Sequence, residues 1–417
     1  MLEKLAIHGG QKTKTDSFGS GKRFGELELK HLKEALDQNT LFYWYGTKVK
    51  DMCKKFSNMY GMKYCVATSS GTAAIHTALG AAGVTVGDEV ITSPITDMGS
   101  IIGILYQNAI PVFADLDPNT YNMTAESIEK KITDKTKAIL VVHLTGNPSD
   151  MDPIMELARS RNIIVIEDCA QAYYAYYKGK LLGTIGDMGC FSLNDFKHIS
   201  AGDGGMVLLN NEELYKRALP FSDKNYNRLS KDPLAMRKVQ FLAPNYRMSE
   251  LQGAVALGQL ERVQHICERH SQIGEKITKA ITGIDGIIPP KVLDGCKSSY
   301  WFYLFRIDEK VLGVKREEFV QALNAEGIPS QAGYIPCCMY DYDLLKDHNA
   351  YEGGSKCPFE CPFYGKKIDY NNERCINAET ILNTSIKLGI SQFYTDKDAE
   401  DISKAIIKVA KWYLNNK

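Results

Sequence analysis

The sequence predicts an α/β protein with a mostly parallel central sheet covered by helices, followed by a smaller C-terminal α+β domain. Between residues 62 and 209, short apolar segments alternate with segments of helical pattern, which is typical of strands joined by crossover helices. The chain of 417 residues is long enough for two domains with separate cores. We expect a large domain over residues 1–265, including an N-terminal helical segment, and a small domain over residues 266–417.

The strands of the large domain are predicted from their apolar runs, at Tyr64–Ala67, Glu89–Thr92, Pro111–Ala114, Ala138–Val142, Ile163–Ile166, Gly189–Phe191 and Gly205–Leu208. The segments between them have helical patterns over 72–82, 98–108, 124–132 and 151–160. Amphipathic helices are predicted on either side, at 28–40 and 47–60 before the strands and as one long connection over 249–283 after them. For the small domain we expect a strand at Trp301–Arg306 and helices at Arg316–Glu326 and Ala399–Trp412.

The composition describes an ordinary soluble protein. Lysine plus arginine and aspartate plus glutamate cancel at 50 each, so charge favours neither a nucleic-acid nor a membrane-surface partner. The first ten residues lack the apolar core and cleavage pattern of a secretory signal, and no apolar run approaches the length of a transmembrane helix. We therefore expect a cytoplasmic protein.

The eleven cysteines fit reduced thiols better than a disulfide framework, since their number is odd and no secretion signal precedes them. Five of them cluster in the C-terminal third, at Cys337, Cys338, Cys357, Cys361 and Cys375. A zinc site needs two spaced pairs of ligands, and adjacent cysteines rarely serve together. We expect no metal.

A carboxylate, a hydroxyl and a lysine follow two of the predicted strands. Asp168 and Ser192 each lie just past the end of a predicted strand, and Ser192 comes five residues before Lys197, which a glycine-rich turn follows. In open parallel sheets, ligands bind beyond the carboxyl ends of the strands. This set suits pyridoxal 5′-phosphate (PLP), which needs an acid at its ring nitrogen, a phosphate anchor and an amine for the Schiff base. Alone, Asp168 could cap a helix and Lys197 could be a surface lysine.

A second segment suits the phosphate of such a cofactor. Ser69-Ser70-Gly71-Thr72-Ala73-Ala74 follows the first predicted strand and opens a helix. Small residues allow an anion to approach the backbone, and free amides at a helix N-terminus bind phosphate. Taken alone, these residues are better explained by an ordinary helix cap from Ser70 or Thr72.

With these motifs in order, the chain resembles the sugar aminotransferase family of fold-type I PLP enzymes, the DegT/StrS group. The resemblance runs from about residue 25 to the C-terminus. It rests on Ser-Gly-Thr-Ala-Ala at 70–74, Gly-Asp-Glu-Val at 87–90, Pro-Val-Phe-Ala-Asp at 111–115, His-Leu-Thr-Gly at 143–146, Glu-Asp-Cys-Ala-Gln at 167–171, the Ser192/Lys197 pair and Asn-Tyr-Arg-Met-Ser-Glu at 245–250.

The resemblance implies a role for each matching residue. Lys197 and Asp168 match the catalytic Schiff-base lysine and the partner of the ring nitrogen. The remaining cofactor-binding positions are Thr72 and Ala73, whose amides would hold the phosphate, Ser192 as its hydroxyl ligand, Gln171 at the ring oxygen and Asn245, which would reach the phosphate of a neighbouring subunit. The last role implies a homodimer. His143 would lie behind the ring, although a core histidine explains it better.

The chain departs from the family where an aromatic side chain often stacks on the cofactor ring. The corresponding turn reads Pro-Ile-Thr-Asp-Met-Gly-Ser at 94–100, so Asp97 or Met98 takes that place. The segments Leu-Phe-Tyr-Trp-Tyr-Gly at 41–46 and Gly-Tyr-Ile-Pro at 333–336 look closest to the aminocyclitol branch. Candidate substrate contacts are Tyr45, Tyr300, Trp301 and Tyr334.

The resemblance implies a PLP-dependent aminotransferase. Its amino donor would be glutamate or glutamine, and its acceptor a ketone of a keto-cyclitol or of a nucleotide-linked keto-sugar. One alternative is a PLP-dependent keto-sugar dehydratase, a branch with histidine in place of the lysine; here Lys197 is present and His198 merely follows it. The other is a non-catalytic regulator that only binds PLP.

Overall fold

The computed structural model describes residues 3–416. Its strands are β1 Tyr64–Thr68, β2 Glu89–Thr92, β3 Ile110–Phe113, β4 Thr136–Val142, β5 Ile164–Asp168, β6 Tyr176–Tyr177, β7 Lys180–Leu181, β8 Met188–Ser192, β9 Gly205–Leu209, β10 Ile287–Ile288, β11 Phe302–Ile307, β12 Ser330–Ala332 and β13 Ser385–Gly389. Its α-helices are α1 Glu26–Asp37, α2 Lys48–Tyr60, α3 Gly71–Ala82, α4 Met98–Tyr106, α5 Ala125–Glu129, α6 Met151–Ser160, α7 Glu212–Phe221, α8 Pro233–Met236, α9 Glu250–Leu260, α10 Val263–Ile281, α11 Glu309–Leu312, α12 Arg316–Ala325, α13 Asp343–Lys346, α14 Ile376–Thr384 and α15 Asp396–Asn415.

The central sheet has seven strands in the order β1-β9-β8-β5-β4-β2-β3. The pairs from β8 through β5, β4 and β2 to β3 are parallel, while β9 runs antiparallel to both β1 and β8. Apolar cores lie on both faces of the sheet, as expected for strands joined by crossover helices. The prediction of a mostly parallel sheet covered by helices is confirmed.

The sheet order explains why the predicted site residues meet. Neighbouring parallel strands β5 and β8 end at Asp168 and Ser192, so both side chains lie at the same edge of the sheet. Strand β9 begins at Gly205, opposite Ser192, where a Cβ would overlap the backbone of Ser70 at the start of α3. The glycine therefore lets α3 begin beside the ends of β8 and β9.

The small domain is built on the four-stranded antiparallel sheet β10-β11-β13-β12. Its core packs this sheet against α10, α12 and α15. The predicted strand and the two predicted helices are present, shifted or extended by a few residues at their ends. No helix within residues 3–416 is long and apolar enough to cross a membrane.

The predicted single helix over 249–283 is wrong, because the chain breaks between α9 and α10. Helix α9 packs on α1 and α2 in the large domain, whereas α10 packs on α15 in the small domain. Arg262, at the break, is held by the Glu28 carboxylate and the Arg23 carbonyl. A straight helix cannot serve both cores, so the direction of the chain changes at this point.

Packing also crosses the expected boundary at residue 265 in two places. Leu5 lies in the small-domain core, and Lys14 forms a buried ion pair with Asp398 at 2.7 Å. In the other direction, Tyr370 donates a 2.8 Å hydrogen bond to the carbonyl of Pro111 beside β3. The N-terminal segment therefore packs with the small domain, and part of the segment between β12 and α14 packs with the large one.

Candidate active site

Asp168 is a buried carboxylate with two donors from its own chain. Its Oδ2 accepts a 2.7 Å hydrogen bond from the Ser100 hydroxyl, and its Oδ1 accepts a 3.0 Å bond from the Ala170 amide. Burial raises the pKa of Asp168, while the Ser100 and Ala170 donors and the positive charge of Lys197 oppose that rise. A carboxylate has about four lone-pair sites, so acceptor capacity remains for a further N–H group.

Lys197 presents its amine to an aromatic ring. Its Nζ lies 3.7 Å from the ring centroid of Trp301, and its backbone carbonyl accepts a 2.8 Å hydrogen bond from Arg23. The Trp301 indole is itself fixed, because its Nε1 donates a 2.7 Å bond to the carbonyl of Phe196. The N-terminal segment and the small domain thus both hold the loop that carries Lys197.

Burial lowers the pKa of Lys197 to about 8, although the charges of Asp168 and Asp97 limit the fall. Within residues 3–416, no carboxylate lies within ion-pair distance of its Nζ. A lysine with this pKa is neutral in a useful fraction of molecules near pH 7, and the neutral amine is the nucleophilic form. The arrangement therefore suits covalent chemistry with a carbonyl group.

The start of α3 lies directly against Ser192. A Cβ on Gly71 would come within 2.6 Å of the Ser192 Cβ and 2.9 Å of its Oγ. The Ser70 hydroxyl caps the helix by accepting a 3.0 Å hydrogen bond from the Ala73 amide, so the predicted phosphate donor Ala73 already has a partner. The amides of Gly71 and Thr72 have no such partner among the described residues. With the Ser192 hydroxyl, they form an anion-binding corner at a helix N-terminus.

Gln171 links the strand ends to the small domain. Its Oε1 accepts a 2.7 Å hydrogen bond from the Thr145 amide, and its Nε2 donates a 3.2 Å bond to the Tyr334 hydroxyl. Because an amide nitrogen carries two hydrogens, one donor of Gln171 remains for a ligand. Burial raises the pKa of Tyr334, which keeps its hydroxyl protonated near neutral pH.

His143 is a core histidine with both ring nitrogens in use. Its Nδ1 accepts from the Ser149 amide at 3.2 Å, so its Nε2 carries the proton and donates to Glu167 at 3.0 Å. Glu167 also accepts from the amides of Gly183, Ile185 and Gly186. Although Cys169 lies close to this pair, the His143 lone pair is occupied and the Glu167 oxygens are satisfied, so the group does not suit a metal ion.

The four candidate substrate contacts divide into three sets. Trp301 and Tyr334 lie in the site, through their contacts with Lys197 and Gln171. The expectation for Tyr300 is wrong, because its side chain is only 3% exposed. Its ring stacks on Tyr303 and fills the space where Gly274 has no side chain, in the core of the small domain. Both residues precede β11, and Tyr300 has a positive φ of 41°, so the backbone turns at this point and the two side chains separate.

Tyr45 and Asn245 lie in a different cluster of the same chain. Tyr45 is 75% exposed and packs edge-on against Phe42, whose ring is covered by the guanidinium of Arg247. Asn245 is exposed, and its side-chain oxygen accepts from the Arg247 amide at 3.4 Å. It does not cap the helix that follows, since Ser249 does so through a capping box with Gln252. No hydrogen bond in residues 3–416 joins this cluster to Lys197 or Asp168.

Two residues beside Asp168 and Lys197, namely Ser100 and Lys387, were not among the site residues predicted from the sequence. Ser100 could have been predicted, because it lies in the first turn of the helix after β2, and this turn is at the same edge of the sheet as Asp168. Lys387 of β13 had a weaker signal, as a single cation between apolar residues in a short strand. It lowers the pKa of Lys197 through its charge, so the two amines lie close enough to repel each other.

The site has an anion-binding corner at the start of α3 and, at its other end, the amine of Lys197 near the carboxylate of Asp168. This arrangement is typical of an enzyme whose cofactor carries both an anionic group and a carbonyl group. Residues 22–355 match the model of the DegT/DnrJ/EryC1/StrS aminotransferase family. The chain belongs to this family and is an aminotransferase, and the cofactor of the family is PLP. The predicted family, enzyme class and cofactor are confirmed.

Three curated relatives of the chain carry names that refer to a spore coat polysaccharide, an inosose and GDP-perosamine. It is 32% identical over 395 residues to the spore coat polysaccharide biosynthesis protein SpsC of Bacillus subtilis, covering 93% of this chain and 95% of that protein. It is 34% identical over 336 residues, 79% of each chain, to a putative L-glutamine:3-amino-2,3-dideoxy-scyllo-inosose aminotransferase of Streptoalloteichus tenebrarius. A GDP-perosamine synthase of Escherichia coli O157:H7 is 40% identical over 260 residues, 62% of this chain and 69% of that protein.

Two solved structures are similar over nearly the whole chain. An aminotransferase from Psychrobacter cryohalolentis is 28% identical, with a TM-score of 0.81 and coverage of 94% of this chain and 98% of that one. The E. coli GDP-4-keto-6-deoxy-D-mannose-3-dehydratase with bound hydrated PLP is 25% identical, with a TM-score of 0.78 and coverage of 94% and 100%. The fold therefore serves both amino transfer and dehydration, and the choice between them depends on the residues of the site.

The described residues fit PLP. The missing side chain of Gly71 lets the start of α3 approach Ser192 closely, so the free Gly71 and Thr72 amides lie near the Ser192 hydroxyl, where a phosphate could bind. Asp168 has acceptor capacity for a protonated ring nitrogen, and the amine of Lys197 has no ion-pair partner. Gln171 retains one N–H for a ring oxygen.

Proposed function

We propose that this enzyme transfers an amino group from glutamate or glutamine to a ketone of a keto-cyclitol or of a nucleotide-linked keto-sugar. The observation that carries the proposal is the half-buried amine of Lys197, without an ion pair and with its pKa lowered to about 8, beside the buried carboxylate of Asp168. An aminotransferase needs a lysine that exchanges protons near neutral pH and a carboxylate that stays charged against the cofactor ring.

Each residue then has a defined task. Bound PLP supplies an electron-accepting ring that stabilises negative charge at the carbon that loses a proton. Asp168 accepts the hydrogen bond of the ring nitrogen and keeps that nitrogen protonated, while Ser100 and Ala170 fix the carboxylate. Lys197 moves the proton between donor or acceptor carbon and cofactor, and Trp301 holds its amine in place. The Ser192 hydroxyl and the start of α3 bind the phosphate.

The acceptor class is supported by the relatives and by the lining of the site. The relatives are named for the synthesis of a spore coat polysaccharide, for amino transfer to an inosose and for the synthesis of GDP-perosamine. In the site, Trp301 and Tyr334 offer flat faces, and the Tyr334 hydroxyl and the exposed Asp97 carboxylate offer hydrogen-bond partners. Aromatic faces with a few polar groups suit a ring that carries hydroxyls.

The dehydratase alternative has less support in this chain. Lysine occupies the position where that branch has histidine, and the neighbouring His198 is buried with its Nε2 at 3.1 Å from the carbonyl of Ser299. Burial keeps the pKa of His198 well below its usual value, so it is a poor proton donor. A purely regulatory PLP binder would need neither a lowered lysine pKa nor a buried acid.

We also propose that the enzyme is a homodimer in which Asn245 and Tyr45 act in the site of the other subunit. Both are exposed, and no hydrogen bond in residues 3–416 joins either of them to the Lys197 of their own chain. Nearby, the segment between α7 and α9 exposes several large apolar side chains, namely Leu229, Leu234, Val239, Phe241 and Leu242. Exposed apolar groups on one surface are typical of an interface with another chain.

The acceptor is tested by single-turnover measurements. The protein is first converted to its aminated cofactor form with glutamine or glutamate, freed from donor, and mixed with a panel of inososes and nucleotide-linked keto-sugars. We expect the native cofactor spectrum to return with one acceptor class, together with an amine product of the corresponding mass. A spectrum that returns together with loss of water from the sugar, and no amine, would instead identify a dehydratase.

A further inference from the structure

A second lysine enters the site from the small domain. Lys387 lies in the middle of β13, paired with Leu304 of β11 on one side and Gln331 of β12 on the other. Its Nζ is 5.0 Å from the ring centroid of Phe302 and 5.6 Å from that of Tyr334. Tyr334 in turn contacts Gln171 at the end of β5, so Lys387 is separated from the strand ends of the large domain by one side chain.

The amine of Lys387 has no anionic partner in the described chain. Among residues 3–416 its Nζ takes part in no ion pair and no side-chain hydrogen bond, although the side chain is half-buried. Burial lowers its pKa, and its charge in turn helps to lower the pKa of Lys197. Contact with aromatic faces compensates a buried cation only in part.

A half-buried ammonium group that lies beside a binding site and has no counter-ion is suited to pair with an anionic group of a ligand. Within the described chain, neither of the two carboxylates that act on Lys197 forms an ion pair with Lys387. Asp168 accepts from Ser100 and Ala170, and Asp97 accepts from the Gly99 amide as the cap of α4. Tyr334 is neutral near pH 7, so it does not supply a negative charge.

We propose that Lys387 is a specificity-determining residue that binds an anionic oxygen group of a substrate, beside the face of Tyr334. This inference rests on the proposed function, because it assigns the group to one of its two substrates. The chemistry shared by the candidates is an anionic oxygen. This oxygen group belongs either to the α-carboxylate of the amino donor or to the diphosphate of a nucleotide-linked acceptor. The experiment uses a separate probe for each of these two sources.

The test compares Lys387→Met with Lys387→Arg in the PLP-loaded full-length protein. Binding of 2-oxoglutarate, as the carboxylate probe, and of GDP and UDP, as the diphosphate probes, is measured by titration calorimetry. We expect Lys387→Met to weaken one of these ligands about tenfold or more, since a hydrogen bond to a charged group contributes about 1.5–3 kcal/mol. Lys387→Arg should retain most of the affinity, because it keeps the charge.

The matched control is Lys180→Met, which removes an exposed strand lysine elsewhere on the large domain and should change no affinity. Far-UV circular dichroism and thermal melting show whether each variant is folded. If Lys387→Met does not fold, Lys387→Gln is measured in its place. Loss confined to 2-oxoglutarate identifies the donor carboxylate as the ligand. Loss confined to GDP or UDP identifies the acceptor diphosphate.

Equal affinities in native protein and Lys387→Met, or no binding of any probe to the native protein, would overturn the inference. The proposed function fails in a different way. A native protein that binds a probe through Lys387 but aminates no ketone would retain this inference and lose the acceptor assignment. A native protein that aminates a ketone, with KM for donor and acceptor unchanged in Lys387→Met, would lose only this inference.

Discussion

The reactivity of Lys197 depends on its surroundings rather than on its identity as a lysine. Burial lowers its pKa to about 8, and Lys387 adds to the fall through charge repulsion. Compared with an ordinary lysine of pKa near 10.5, the neutral fraction at pH 7 rises roughly 300-fold. The contact of its Nζ with the Trp301 ring positions the amine. A carboxylate partner would position it too, but would also neutralise its charge.

The pH dependence of cofactor capture tests this point. Because only the neutral amine attacks the aldehyde, the rate of PLP incorporation into apoprotein should rise about tenfold per pH unit below pH 8 and level off above it. Stopped-flow absorbance measures the rate, and borohydride reduction followed by peptide mapping should place PLP on Lys197. Lys387→Met should move the midpoint to higher pH. A rate that is flat between pH 6 and 9, or label on another lysine, would contradict the assignment.

Asp168 should matter more for rate than for cofactor affinity. Asp168→Asn removes the charge that keeps the ring nitrogen protonated, and each unit of pKa corresponds to about 1.4 kcal/mol. We expect PLP to be retained and the half-reaction with the amino donor to slow by orders of magnitude. Ser100→Ala, which removes one hydrogen bond to the carboxylate, should slow it far less. A native rate in Asp168→Asn would show that the ring nitrogen has another partner.

The contact between α3 and β8 forms the phosphate end of the site. Gly71→Ala would place a methyl group within 2.6 Å of the Ser192 Cβ, so the start of α3 would have to move away from the hydroxyl that we assign to the phosphate. We expect PLP affinity to fall tenfold or more, measured by equilibrium dialysis, while the chain stays folded. Gly25→Ala is the control, because a Cβ there meets no atom within 4 Å. Equal losses in both variants would rule out a local role for Gly71.

The sequence predicted most elements of the large domain because their apolar segments are bounded by strong turn signals. It also predicted that Asp168 and Ser192 lie at one edge of the sheet, since neighbouring parallel strands end there, while the roles of these residues and of Lys197 stay predictions. It did not separate Tyr300 from Trp301, because Tyr300 lies before β11 with a positive φ, and a single non-glycine residue of this conformation leaves no pattern in the sequence. Nor did it predict the break between α9 and α10, which arises from packing on two different cores.

At the level of the whole molecule, the site combines both domains. Lys197 belongs to the large domain, whereas Trp301, Tyr334 and Lys387 come from the small domain. A movement between the domains would change the surroundings of the amine. In the proposed dimer, Asn245 of one subunit would complete the phosphate site of the other, so that PLP binding and association would stabilise each other.

Mixing two inactive variants tests the dimer. If Asn245 acts across the interface, a Lys197→Ala chain supplies its intact Asn245 to the intact lysine of an Asn245→Ala chain, and one native site is rebuilt. We expect such mixtures to recover PLP sites of native affinity. If Asn245 acts within its own chain, every site with an intact lysine keeps the Asn245 defect and no native affinity returns. A monomer in sedimentation at low micromolar protein would contradict the proposed dimer itself.

The most direct test of the central claim is the absorbance of the PLP-loaded protein during one cycle of amino transfer. We expect the band of PLP bound at Lys197 to disappear on addition of glutamine or glutamate, with release of the corresponding oxo acid, and to return when the keto acceptor is added. Asp168→Asn should bind PLP and show the same change far more slowly. A band that persists with both donors, although PLP is bound at Lys197, would contradict the assignment of this enzyme as a glutamate- or glutamine-dependent aminotransferase.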